Sequence, residues 1–78
     1  MNSLSMQVLR LFGEMGKEQL DLHVLFEAGG NEPSQRDRVL DAIDELVRLG
    51  MVKARGSDFY ELTESGKRAI PGREAAKD

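Results

Sequence analysis

The first part of the chain has apolar residues spaced like one face of an α-helix. These positions are Leu4, Val8, Leu11, Phe12 and Met15. Spacings of three and four residues place side chains on one stripe of a helix, so the pattern predicts an amphipathic helix. Ser3 or Ser5 is a candidate N-cap. Gly16 follows the last apolar position, as a glycine at a helix C-terminus does.

Two further helices are predicted before the hydrophobic pattern changes. Asp21 is a suitable N-cap for a short helix over residues 22–28. A longer helix over residues 34–49 has the clearest helical period. Its apolar positions are Val39, Leu40, Ile43, Leu46, Val47 and Leu49. Ser34 opens this helix with a sequence that resembles a capping box, and Gly50 follows it as a C-terminal glycine.

The pattern then becomes typical of β-strands. Residues 51–55 and 59–62 have strand composition and flank Gly-Ser-Asp at 56–58, which predicts a β-hairpin with a three-residue loop. Thr63 is a suitable N-cap for a last short helix over residues 64–70. Helices together with a small hairpin predict a mainly α fold of the α+β class.

Length and composition limit what the chain can be. With 78 residues it suits one domain, which we place at residues 1–70, followed by a polar tail at 71–78 that we expect to be flexible. The absence of cysteine and the single histidine exclude a disulfide framework, a thiolate zinc site and a cysteine nucleophile. No apolar run approaches the ~20 residues of a membrane span, and the N-terminus lacks the pattern of a signal peptide. We therefore expect a cytoplasmic protein without membrane association.

Catalysis has little support in the sequence. Four carboxylates lie at helical spacing on the long helix, namely Asp37, Asp41, Asp44 and Glu45. Neither a cysteine nor a phosphate-binding loop accompanies them, and so small a domain has little room for an enclosed pocket. A hydrated helix face explains them better. We expect no enzymatic activity, no cofactor and no metal.

The order helix, helix, long helix, two-stranded hairpin, short helix resembles the winged helix-turn-helix domain of bacterial and archaeal transcriptional regulators. The segment Leu40–Ile70, LDAIDELVRLGMVKARGSDFYELTESGKRAI, looks like the recognition helix, wing and closing helix of that family. The hallmarks are Leu46, Leu49-Gly50-Met51-Val52 and Tyr60-x-Leu62-Thr63-x-x-Gly66. The likeness covers residues 4–70. It implies a winged helix with a three-helix core, a two-stranded wing and a short C-terminal helix.

The resemblance also implies a function and a set of contact residues. A winged helix of this kind inserts its long helix into the major groove of double-stranded DNA and touches the backbone with its wing. The implied DNA-binding residues are Ser34, Gln35, Arg36, Arg38, Lys53, Arg55 and Lys67. Lys53 and Arg55 point outward on the first strand if Val52 and Ala54 face the core. A homodimer is expected to form through the first helix, with Met6 or Leu9 exposed at the contact.

Charge keeps a second interpretation open. The net charge is −3, and residues 34–48 carry three arginines against three aspartates and one glutamate, whereas DNA readers concentrate positive charge here. Residues 1–33 carry a net −3, residues 34–55 a net +1 and residues 56–78 a net −1, so the acidic excess lies mainly outside the expected binding half. The alternative is a winged-helix protein-interaction module without DNA binding. Strand alternation places Phe59 on the outer face of the hairpin, where it is a candidate partner contact.

Overall fold

The computed structural model describes residues 3–70, and the tail predicted at 71–78 lies outside this range. The helices are α1 (Ser3–Met15), α2 (Leu22–Leu25), α3 (Arg36–Arg48) and α4 (Glu64–Ala69). The strands are β1 (Gln19–Asp21), β2 (Val52–Arg55) and β3 (Phe59–Leu62). Short 3-10 helices follow α2 at Phe26–Gly29 and precede α3 at Pro33–Gln35. The described chain is therefore of the α+β class, as the sequence predicts.

The sheet has three antiparallel strands in the order β1-β3-β2, so the prediction of a two-stranded sheet is wrong. Leu20 of β1 pairs with Tyr60 of β3, and Asp21 pairs with Phe59. Backbone bonds extend the pairing at both ends, from Leu62 N–H to the Glu18 carbonyl and from Leu22 N–H to the Asp58 carbonyl, each 2.7 Å long. The hairpin is thus fastened to the link between α1 and α2.

The hydrophobic core lies between α1, α3 and the inner ends of the strands. Buried side chains come from α1 (Val8, Leu9, Phe12), α3 (Val39, Ala42, Ile43, Leu46), the sheet (Leu20, Val52, Leu62), α2 (Leu25) and the end of α4 (Ile70). One polar residue joins them: Ser5 is fully buried, and its hydroxyl donates a 2.5 Å hydrogen bond to Glu45 Oε1 of α3. A buried hydroxyl needs such a partner.

Helix α4 packs against the chain that leaves α3. Gly50 has φ +77°, the left-handed conformation that glycine adopts without steric cost. The Thr63 hydroxyl donates to the Gly50 carbonyl at 2.6 Å and accepts from the Gly66 N–H at 3.1 Å. A Cβ on Gly66 would collide with the carbonyl oxygen of Met51. The predicted N-cap at Thr63 is therefore confirmed, and Gly66 is where two backbone segments touch.

Three local predictions are wrong. Ser34 does not cap α3, because it lies in the 3-10 helix before it and the N-cap position is Gln35, without a side-chain cap bond. Leu9 is fully buried, so it is not exposed for a dimer contact. Ala54 is exposed although β2 begins with the buried Val52, because the strand extends beyond the core. The N-cap predicted at Asp21 is confirmed by a 2.9 Å bond from the Val24 N–H.

Among the described residues, none of the helices has both the length and the apolar character needed to cross a bilayer.

Candidate interaction surface on the third helix and the hairpin

One line of exposed residues along α3 is mostly acidic. The core side of the helix is formed by Val39, Ala42, Ile43 and Leu46. The opposite side has the exposed residues Asp37, Asp41, Asp44 and Arg48, whose spacings of four, three and four residues align them along the helix. We call the first three residues the acidic ridge. Three carboxylates against one guanidinium make the most outward line of α3 net negative.

Four of the predicted DNA-binding residues lie together at the start of α3. Ser34 and Gln35 belong to the 3-10 helix that leads into it, and Arg36 and Arg38 are in its first turn. The Arg36 guanidinium lies 5.3 Å from the centre of the Phe26 ring, within the range of a cation–π interaction. Arg38 is exposed and lines a groove of about 530 Å³ between the starts of α1 and α3, together with Asp41. The structure thus brings these four residues to one end of the helix, with acidic neighbours.

The predicted wing cations are on strand β2. Lys53 is exposed and pairs with Glu61 of β3 in the backbone register. The Arg55 Nε donates to Glu61 Oε1 at 2.5 Å. Since Glu61 is less exposed than Arg55, at 26% against 54% of the side chain, it holds the guanidinium against the sheet. Part of the positive charge predicted for the hairpin is neutralised there.

Lys67 is the most heavily paired of the predicted cations. Its Nζ lies 2.8 Å from Glu18 Oε2 and 3.2 Å from Glu64 Oε2. The hydrogen bonds that Lys67 donates to Glu18 and then to Glu64, more than their through-space attraction, raise the pKa of Lys67 above its ordinary value. Lys67 therefore fastens α4 to the segment before β1 and offers little charge to an outside anion.

Two apolar residues of α3 are exposed, which was not predicted from the sequence. Leu40 and Val47 belong to the hydrophobic stripe that predicted α3, yet they are 40% and 37% exposed. Their spacing of seven residues places both on one side of the helix, beside the acidic ridge. Phe59 is 50% exposed, in agreement with the strand alternation that predicted it on the outer face.

Within residues 3–70, no group of three or more His, Asp or Glu side chains is placed to hold a metal ion. Comparison of the chain with protein-family models, curated proteins and solved structures gave no match.

Proposed function

We propose that this domain is a winged-helix protein-interaction module that binds its partner with the outward side of α3. The observation that carries the proposal is the acidic ridge. The element order supports the winged-helix part, with a long α3 running through Gly50 into a hairpin and a short closing helix. A third strand, β1, adds to the hairpin without changing that order.

Electrostatics disfavours DNA on this surface. A helix in the major groove lies between two rows of phosphates, and affinity for DNA comes largely from cations that neutralise them. The acidic ridge would instead bring Asp37, Asp41 and Asp44 toward those phosphates. Arg55 and Lys67, which would have to compensate on the hairpin and α4, already pair with acidic residues of the same chain.

The same surface has the composition of a protein contact. Leu40 and Val47 supply exposed apolar area next to the acidic ridge, and protein interfaces combine an apolar centre with a charged rim that sets specificity. The partner surface that fits is correspondingly apolar with a basic edge.

Reversal of the ridge charge tests this proposal against DNA binding. The double variant Asp41→Lys/Asp44→Lys changes exposed side chains, so the fold is expected to tolerate it. Fluorescence anisotropy with mixed-sequence duplex DNA at low salt should show no binding by the wild type and salt-sensitive binding by the double variant. A partner identified by cross-linking and then purified should bind the wild type and lose affinity for the double variant. Salt-sensitive DNA binding by the wild type, with no protein partner, would contradict the proposal.

DNA binding remains the second candidate function, because three predicted cations are available for it. Arg36, Arg38 and Lys53 are exposed, and none of them forms an ion pair with a residue in the described range 3–70. Under this alternative, wild-type binding to duplex DNA weakens when Arg36, Arg38 or Lys53 is replaced by alanine. The same replacements leave a protein partner bound to the acidic ridge, so the two functions are separated by one set of variants.

A further inference from the structure

A pocket of about 280 Å³ lies between α2 and the tip of the hairpin. It is lined by Asp21, Leu22, His23, Phe26, Asp58 and Phe59. None of these residues is among those that the winged-helix resemblance implies for DNA binding. The lining combines two aromatic rings with two carboxylates.

Backbone bonds fix the walls of this pocket. Asp21 and Phe59 are partners in the β1–β3 register, and residues paired across antiparallel strands project from the same side of the sheet. The Leu22 N–H donates to the Asp58 carbonyl at 2.7 Å. Asp21 also caps α2 through one carboxylate oxygen, Oδ1. The pocket is therefore built before any ligand arrives, which lowers the entropic cost of binding.

The chemistry of the lining selects a cation. Phe59 is half exposed, so part of its ring is open to a ligand, and an aromatic ring face attracts positive charge. Neither Asp21 nor Asp58 forms an ion pair with a side chain of the described residues. The Phe26 ring is already engaged by the guanidinium of Arg36, 5.3 Å from its centre, so the half-exposed Phe59 supplies the ring face for a ligand.

We propose that this pocket binds an arginine side chain from a basic segment of the partner protein. This inference rests on the proposed protein-interaction function and adds a chemical class for the partner. A guanidinium is planar, so it stacks on a phenyl ring while its N–H groups donate to a carboxylate. An arginine can stack on Phe59 while it donates to Asp21 or Asp58, whereas an apolar side chain would make no hydrogen bond to either carboxylate.

Charge also argues against two other occupants. Phosphate groups of nucleic acid would meet Asp21 and Asp58, which line the pocket. A second copy of this chain carries the same net charge of −3, which opposes association in general. A basic segment of a different protein is attracted both by the two aspartates of the pocket and by the net negative charge of the chain.

The position of the pocket fits the rest of the proposed interface. Because Arg36 contacts Phe26, the start of α3 lies beside one wall of the pocket. The acidic ridge begins one residue later, at Asp37, and continues along α3. A basic partner segment with one arginine in the pocket can thus place further cations along the ridge.

A pair of synthetic peptides tests the proposal directly. One is a short, blocked peptide that contains arginines in a neutral background, and the other has citrulline at the same positions, which keeps the shape and removes the charge. NMR titration of the full chain should show shifts at the Phe26 and Phe59 rings and at the amides of residues 21–23 and 58–59. We expect the arginine peptide to bind about tenfold more tightly than its citrulline counterpart.

Variants locate the binding in the pocket. Asp58→Asn removes a charge and Phe59→Leu removes a ring, and each is expected to weaken arginine-peptide binding by about three- to tenfold. Glu14→Gln and Met15→Ala are the matched controls, because both residues are exposed at the end of α1, and they should leave affinity within about twofold. A dispersed NMR spectrum confirms that each variant is folded.

The outcomes separate this inference from the proposed function. Equal binding of both peptides, or weakening by the controls as strong as by Asp58→Asn and Phe59→Leu, overturns the arginine pocket. If a partner still depends on Asp41 and Asp44 in that case, the interaction function stands without it. Loss of partner binding in both the ridge variant and the pocket variants supports both proposals.

Discussion

Gly66 of α4 lies against the carbonyl oxygen of Met51 so closely that a Cβ has no room between them. Within helices alanine is favoured over glycine by about 1 kcal/mol, but here the obstacle is backbone that cannot rotate away. We expect Gly66→Ala to lower the free energy of unfolding by about 1–3 kcal/mol, since α4 must shift from the α3–β2 link. Urea denaturation measures this change.

The neighbouring residue supplies the control for Gly66. Ser65→Ala changes an exposed position of the same helix and should alter the free energy of unfolding by no more than about 0.5 kcal/mol. If Gly66→Ala were as stable as Ser65→Ala, the close approach of α4 to Met51 would be refuted.

A hydrogen bond from the buried Ser5 hydroxyl to Glu45 joins α1 to α3. Ser5→Ala removes the donor of this buried hydrogen bond, and a hydrogen bond to a charged group contributes about 1.5–3 kcal/mol to stability. We therefore expect Ser5→Ala to lower the midpoint of urea denaturation. Ser57→Ala, in the exposed hairpin loop, is the matched control, and an equal midpoint for the two variants would show that the Ser5 hydroxyl contributes nothing.

The charge on Lys67 stabilises the folded protein, so we expect stability to fall at alkaline pH, where that charge is lost. Because Glu18 and Glu64 raise its pKa in the folded protein, charged Lys67 stabilises the fold fully below the ordinary lysine pKa of about 10.4. That contribution is lost as the pH rises through the higher, folded value. We expect the free energies of unfolding of wild type and Lys67→Gln to differ at about pH 8 and to converge once the pH has risen through the raised pKa of Lys67 in the folded protein.

Salt provides the check on the Lys67 prediction. The ion pairs are close to the surface, so the difference between wild type and Lys67→Gln should be small and should shrink with added salt. A difference that is unchanged from neutral to alkaline pH would mean that the lysine stabilises the protein through packing of its methylene chain instead.

The ion pair between Arg55 and Glu61 predicts how removal of the Glu61 charge changes binding of the hairpin to DNA. Glu61→Gln frees the Arg55 guanidinium, and each additional cation near DNA adds about 1 to the salt slope of binding. We expect Glu61→Gln to give more non-specific binding to duplex DNA at low salt than Glu14→Gln does, although both remove one negative charge. Equal effects in fluorescence anisotropy would mean that only net charge matters.

Structural features that depend only on neighbouring residues were predicted from the sequence. Asp21 and Thr63 cap their helices as expected, and Gly16 and Gly50 have positive φ after α1 and α3. Each of these depends on a side chain and the amide two or three residues away, or on the conformation of one residue.

Features that depend on distant residues were not predicted. Strand β1 has one buried apolar side chain, Leu20, and it becomes a strand because β3 pairs with it from far along the chain. Leu9 is buried because α1 packs on several elements and its core side is wider than one stripe. The pocket between Phe26 and Phe59 follows from the same β1–β3 pairing, so nothing in the local sequence indicates it.

The central place of β3 in the sheet has a consequence for exchange with solvent. Its backbone is hydrogen-bonded along both edges, to β1 and to β2, while each outer strand has a partner on one edge. Amide protons are released to water when such pairing opens locally, and centrally bonded strands open last. In deuterated buffer, the amides of Tyr60 and Leu62 should keep their protons longer than those of Lys53 and Arg55, so the strand that carries Phe59 is the most slowly exchanging part of the sheet.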